Sequence, residues 1–284
     1  MEYSSKVYKT KRGVSYLKEP GIILLSKPDL DIYGIDDFLS GFPDLGFDEY
    51  TNDNWLIEDG SALSKVAGQL CYMSFGPNRT KNCDIDKYIN HIRESGHGSI
   101  LEHANYTFLF YGVSRSLTHE LVRHRAGVSV SQSSQRFIDE SKIRFVERPE
   151  FQNDPDLHAY FEDSIDLIMD KYREVLQKLS EEQKEGSKIL YSEYKTELRK
   201  KVHQASRYIL PNCTEAPIVV TANARAWRHF LEMRGTSAAE TEIRSLAIKI
   251  LCKLRDIQSL LFSDYEIVPL PDGTSAITTP YVKV

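Results

Sequence analysis

The segment ANYTFLFYGVSRSLTHELVRHR, residues 104–125, carries the decision about the fold. In its first half Tyr106, Phe108 and Phe110 alternate with Thr107 and Leu109, a period of two that puts three aromatics on one face of a strand over Ala104–Tyr111. Ser114 then offers a helix N-cap, and Leu117, Leu121 and Val122 follow at helical spacing. The predicted helix delivers Glu120, Arg123 and His124 near its C-terminal end. A strand that runs straight into a helix tipped with charge is a unit of mixed α and β structure.

Outward from this unit the chain reads mostly as helix. Leu63, Val66, Ala67 and Leu70 predict a helix within Ser61–Phe75, and Ile85, Tyr88, Ile89 and Ile92 another over Asp84–Ser95. Phe161, Ile165, Ile168, Tyr172, Val175 and Leu179 step by three or four along a long amphipathic helix, Tyr160–Leu179, whose continuation ends at Gly186. Helices are also predicted over Ser187–Tyr208, Asn223–Arg234 and Ala238–Phe262, with Pro211 and Gly235 as breaks and a short strand at Ala216–Thr221. Residues 1–60 read as irregular and peripheral, with Ile22–Leu25 as an edge strand, Ala126–Ser134 as a polar loop and the tail, 263–284, as irregular or extended. The fold class expected is α+β, helix-rich with a small, mainly antiparallel sheet, because βα alternation is too sparse for a doubly wound sheet. No Gly-x-Gly-x-x-Gly is present, so any dinucleotide is held without a Rossmann turn.

Composition narrows the function classes. At 284 residues, 41% apolar and 27% charged, the chain can bury a substantial core. A net charge of -5 argues against a general nucleic-acid binder, which needs basic surface to displace counterions from phosphates. No apolar run approaches the ~20 residues needed to span a bilayer, and Met1–Pro20 is polar and basic, so a cytoplasmic location without membrane attachment is expected. Cys71, Cys83, Cys213 and Cys252 lie far apart, and His103, His119 and His124 have no acidic or cysteine partner at ligand spacing. No metal site is expected.

The densest chemical signal is Arg123-His124-Arg125 followed, through a serine-rich loop, by Ser133-Ser134-Gln135-Arg136. Guanidinium forks match phosphate oxygens bidentately, and hydroxyls with loop amides supply the remaining donors, so the stretch reads as an anion cradle. A solvated basic helix end, favoured by the helix dipole, is the plainer alternative.

Several ordered blocks resemble the flavin-dependent thymidylate synthases. These are Arg123-His124-Arg125 with its downstream serine, His97-Gly-Ser99-Ile-Leu-Glu102-His103, the run from Gly112 to Arg125, Ala205-Ser-Arg207-Tyr-Ile-Leu-Pro211, and Asn223-Ala-Arg225-Ala-Trp-Arg-His229-Phe-Leu-Glu-Met-Arg234. The similarity spans roughly residues 61–262, which become the expected catalytic unit. It implies a methyltransferase that converts dUMP to dTMP with methylenetetrahydrofolate, FAD and NADPH, acting as a homotetramer whose subunits share active sites. By the same resemblance Arg123, Gln132, Ser133, Ser134, Gln135, Arg136, Arg207 and Arg234 fall on dUMP-binding positions, with Glu120 beside them. Ser99, Glu102, Arg123, His124, Arg125, Gln132, Asn223, Arg225 and His229 fall on FAD-binding positions, and His97 near flavin and folate. Arg234 is the expected catalytic group, since a fixed positive charge at the pyrimidine edge stabilises ionised uracil.

The chain departs from the family pattern at particular residues. Seven residues, 126–132, separate Arg125 from Ser133, whereas counting back from Arg136 favours Ser134, so the loop reads as one residue longer. Glu120 stands where glutamine is common, replacing an amide by an acceptor-only carboxylate; an ion pair with Arg123 is one way to satisfy it. Gln132 stands where several members carry Glu, and Phe137 where Tyr is usual. A nucleotide-binding regulator that kept the phosphate cradle and lost catalysis is the competing reading.

Overall fold

In a computed structural model of the chain, residues 2–53, 58–78, 84–186 and 192–284 are described. Strands β1 (Val7–Lys9), β2 (Ser15–Leu17) and β3 (Gly21–Ser26) lead into helices α1 (Asp36–Leu39), α2 (Asp59–Cys71) and α3 (Ile85–Glu94). Next come β4 (Asn105–Tyr111), α4 (Arg115–Leu121), β5 (Val128–Gln132), β6 (Phe145–Val146), α5 (Pro149–Gln152), α6 (Pro155–Gly186) and α7 (Ser192–Ser206). The chain closes with β7 (Ile218–Asn223), α8 (Ala224–Arg234), α9 (Thr241–Ile257), α10 (Ser259–Phe262), β8 (Glu266–Pro269) and β9 (Ser275–Thr278).

The central sheet is antiparallel in the order β3-β4-β7-β5. Pairing Phe108 with Val220 and Phe110 with Ile218 aligns the apolar faces of the two middle strands, and Tyr106, Phe108, Phe110, Ile218 and Val220 are all buried. Trp227 of α8 packs edge-on against Phe108, with ring centroids 5.4 Å apart, and Ile243, Leu246, Ile250 and Leu254 of α9 complete this core. Burying each such side chain contributes roughly 1.5–3 kcal/mol, so the aromatic face of β4 specifies which side of the sheet the helices cover. The opposite side stays open, with Ile23 and Leu25 exposed at the β3 edge. A second, three-stranded sheet, β1-β2-β6, packs Tyr16 and Phe145 against Phe161, Ile165 and Met169 of α6. The fold is thus α+β and helix-rich, with mainly antiparallel strands; β2 and β6 are the parallel exception.

Several expectations change. The polar loop over Ala126–Ser134 contains an edge strand, because Val128 and Val130 pair with Ala222 and Val220; Val128 packs against the core while Val130 stays exposed. Residues 1–60 supply three strands, and the tail forms the β8–β9 hairpin, which a turn around Asp272-Gly273 closes with Gly273 at φ +81°. The helix over Ala238–Phe262 breaks at Gln258, where a buried amide takes over the hydrogen bonding: its Oε1 accepts from Gly60 N at 3.1 Å and from the Tyr106 hydroxyl at 2.8 Å, while its Nε2 donates to Ser61 Oγ. Helix α2 buries Gly60, Ser61, Ala62, Ser64, Lys65, Gly68 and Gln69, and leaves Leu70 exposed, so the side facing the core is mostly small and polar. The predicted helix start at Ser187, and Cys83, lie outside the described residues. No helix among the described residues is long and apolar enough to cross a membrane.

Candidate active site

Two capped helices converge to build the site. Ser114 Oγ accepts from Leu117 N at 3.1 Å and starts α4, as its sequence position predicts. Its N–H and hydroxyl donate to Glu242 of α9 at 2.7 and 2.6 Å, which anchors the start of the helix from below. Burial raises the pKa of Glu242, and the two bonds from Ser114 oppose that shift. Asn223 caps α8 by accepting from Ala226 N at 2.8 Å, and Gly235 ends that helix just after Arg234.

The far end of α8 meets the far end of α4. Arg234 Nη1 donates to Glu120 Oε2 at 2.5 Å, and Arg234 Nε donates to His124 Nε2 at 3.1 Å. Glu120 therefore pairs with Arg234 instead of Arg123, which stands exposed beyond the end of α4. His124 also contacts His229 and Phe230, with centroids 5.8 and 5.2 Å away. Its pKa falls to about 4, first through burial and then through the charges of Arg234 and His229. A neutral imidazole is what the geometry requires, since Nε2 must keep a lone pair to accept from a guanidinium.

Beside this junction lies a cleft of about 320 Å³ lined by Glu102, Asn223, Arg225, His229, Lys283 and Val284. Arg225 Nη1 reaches Glu102 Oε1 at 2.6 Å. Gly127 lines the same cleft at φ +68°, and a Cβ there would collide with the Asn223 side chain. A guanidinium, an imidazole and the N-terminus of an eleven-residue helix around small residues suit a nucleotide diphosphate, so the donor set fits the flavin dinucleotide expected from the sequence. Ser99 sits exposed on the turn Gly98–Glu102, and Arg125 is exposed beside Gly127.

The serine loop forms a separate group. Ser133 N is tied to Pro217 O at 2.9 Å, and Arg136 Nε is 3.4 Å from Ser134 Oγ, with the guanidinium over the Phe137 ring at 5.5 Å. Ser133 Oγ and the buried Gln135 Nε2 have no hydrogen-bond partner among the described residues, and both side chains line a cavity of about 460 Å³ with Arg144, Thr214 and Glu215. Gln132 is the last residue of β5. Arg207 begins a 3-10 turn after α7 and lies close enough to Arg115 that its charge, after burial, lowers the Arg115 pKa. None of the described hydrogen bonds, ion pairs or ring contacts links Arg136 or Arg207 to Arg234.

Sequence reasoning gave no role to Glu242, Arg144, Glu215, Arg115, Lys283 or Val284. Arg144 donates to Glu215 at 2.5 and 2.9 Å, and Glu215 in turn accepts from Gly112 N at 2.7 Å, so the pair fixes the turn between β4 and α4. Only contact between distant segments identifies them. Arg115 alone had a sequence signal, as a cation inside the Gly112–Arg125 block.

A small antiparallel sheet under helices, with cations delivered to its strand ends and no glycine-rich dinucleotide turn, defines a nucleotide-handling protein outside the Rossmann class. The family model described as "Thymidylate synthase complementing protein" matches residues 54–258. A flavin-dependent thymidylate synthase of Mycobacterium sp. (strain JLS) is 43% identical over 230 residues, covering 79% of this chain and 87% of that protein. One from Corynebacterium diphtheriae is 42% identical over 233 residues, 81% and 90% of the two chains. Among solved structures, the UMP/dUMP methylase PolB of Streptomyces cacaoi, bound with 5-Br dUMP, superimposes with a TM-score of 0.57 over 87% of this chain and 94% of that one; at 17% identity it shows the shared fold. The chain belongs to the flavin-dependent thymidylate synthase family.

Proposed function

We propose that the protein catalyses reductive methylation of dUMP to dTMP, taking its one-carbon unit from methylenetetrahydrofolate and its electrons from NADPH through bound FAD. The observation that supports this most directly is Arg234, whose guanidinium is fixed by Glu120 and His124 beside the cleft that holds Asn223, Arg225 and His229. In the overall change C5 of the pyrimidine loses a proton and gains a methyl group. Methylene carbon is at the formaldehyde level, so two electrons must be added with it, and reduced flavin supplies them as hydride when bound.

The chain's own residues bind, orient and polarise. Arg136, with Ser134 beside it, and Arg207 take the phosphate dianion, and Arg115 adds a third cation near Arg207. Ser133 and Gln135 supply donors that would otherwise stay unsatisfied at a cost of about 1–3 kcal/mol each, and Gln132 adds its amide at the end of β5. Arg234 sits at the pyrimidine edge, where its charge stabilises the ionised ring and raises the nucleophilicity of C5. Arg225, His229, Asn223, Glu102, His124 and Ser99 hold the flavin in this reading, joined by Arg123 and Arg125, which are exposed past the end of α4.

No described hydrogen bond, ion pair or ring contact joins Arg136 or Arg207 to Arg234 within one chain, which fits sites shared between subunits, and these we assign to a homotetramer. Exposed Ile23, Leu25, Leu70 and Tyr72 are consistent with faces covered by further copies. Residues 61–262 form the catalytic unit in this reading, flanked by 1–60 and 263–284, and the location is cytoplasmic.

Anaerobic incubation of the FAD-loaded protein with dUMP, methylenetetrahydrofolate and NADPH tests the proposal, with dTMP as the expected product. The Glu120–Arg234 pair favours one alternative, a regulator whose key arginine is already neutralised. Calorimetry showing dUMP binding with no dTMP formed would select it. Sedimentation of an active monomer would sink the shared-site assembly.

A further inference from the structure

The C-terminal segment lies beyond residues 54–258 of the family match, yet it returns to the cleft. Its path is fixed at successive points. Ile277 N donates to Gly235 O at 2.7 Å, tying β9 to the end of α8. Thr279 Oγ1 donates to Asp264 Oδ2 at 2.6 Å, on a carboxylate already held by Arg228 at 2.7 and 2.8 Å and by Arg93 at 2.9 Å. Tyr281 N then donates to Thr279 Oγ1 at 3.1 Å, and Lys283 N to Glu232 Oε2 at 3.1 Å. The strap so formed places Val284, 5% exposed, against Gly98 and beside Arg225.

Lys283 adopts φ +68°, a conformation that side chains avoid and that persists only where surroundings impose it. Its backbone is held by Glu232 while the residue lines the cleft and stays exposed, and its ammonium makes no ion pair among the described residues. Of the two acidic groups that line the cleft, Glu102 is taken by Arg225, and Glu232 accepts from the Lys283 backbone N–H. A cation fixed at the rim of a cleft that already contains a guanidinium is suited to a doubly charged diphosphate.

We propose that residues 279–284 build one wall of the flavin cleft and that the Lys283 ammonium binds the diphosphate of FAD. The inference rests on the reading of this cleft as the flavin site. Quenching of flavin fluorescence on titration with the purified full chain measures it. Lys283→Ala should weaken FAD binding about tenfold, the loss of one charge-assisted hydrogen bond, Lys283→Arg should restore most of it, and riboflavin, which lacks the diphosphate, should bind both proteins equally. Deleting 281–284 should weaken FAD by at least as much as Lys283→Ala, since it removes the wall as well. Unchanged FAD affinity in Lys283→Ala, or tighter binding after the deletion as expected of a segment that plugs the cleft, would overturn the inference and leave the flavin reading intact. Wild-type protein that does not bind FAD at all would sink both.

Discussion

Arg234 and Glu120 face each other across the junction of α8 and α4, with Nη1 2.5 Å from Oε2, and His124 closes the other side of the same guanidinium. The carboxylate orients the arginine and offsets part of its charge, so one contact both builds the site and moderates it.

Two substitutions separate those effects. Arg234→Ala should lower dTMP formation by about 10²–10³-fold, typical of removing one group that stabilises developing charge, while the flavin spectrum stays that of bound cofactor. Glu120→Gln keeps the shape and removes the neutralising charge, and should raise single-turnover rates by up to about tenfold. A fall in the Gln variant as large as that of Arg234→Ala would show that the carboxylate itself is required.

Acid should loosen the junction through His124. Its folded pKa, about 4, lies below the ordinary value of 6.5, so between those limits the unfolded chain binds a proton that the folded chain refuses. Stability from this group is therefore complete above pH 6.5 and declines as pH falls toward 4, by on the order of 1–2 kcal/mol after allowing for solvent screening of a half-exposed ring. Urea unfolding of wild type and His124→Gln across pH 4–7 should show a flatter profile in the variant. Parallel profiles would assign the acid sensitivity elsewhere.

Phosphate binding should be divisible from flavin binding. Arg136→Ala and Arg207→Ala should each weaken dUMP by about 10–100-fold, with FAD affinity unchanged, because each removes charge-assisted bonds of about 1.5–3 kcal/mol. Deoxyuridine, which lacks the phosphate, should bind all three proteins alike in calorimetry. Equal losses for deoxyuridine would place these arginines elsewhere.

Gln258 is a stability prediction away from the chemistry. Gln258→Leu strands Gly60 N, the Tyr106 hydroxyl and Ser61 Oγ in buried surroundings, and should cost about 3 kcal/mol or more in urea denaturation. A loss below about 1 kcal/mol would mean that the three groups find other partners.

Local periodicity made β4, α3, α4 and α8 readable, since each pattern is satisfied by its own residues and the caps Asp84, Ser114 and Asn223 lie next to the helices they start. It located α2 but not its buried face, because Ser64, Lys65 and Gln69 are buried, with Lys65 and Gln69 held by Asp53 and Tyr50 on another segment. It missed β5 for a related reason: Val128-Ser-Val-Ser-Gln132 becomes a strand only when β7 offers it an edge. The arginines of the site were visible as residue types and order; their partners were not.

The order of residues along the chain determined the strand–cap–helix unit, the family to which the protein belongs and the inventory of cations. Folding in three dimensions decided that Glu120 neutralises Arg234, that Glu242 anchors Ser114, and that Lys283 returns to a cleft built more than 50 residues earlier. The division follows from the range of the forces. Capping and hydrophobic periodicity act within a turn or two of chain and are written locally, whereas ion pairs and cleft walls depend on which distant segments the core brings together.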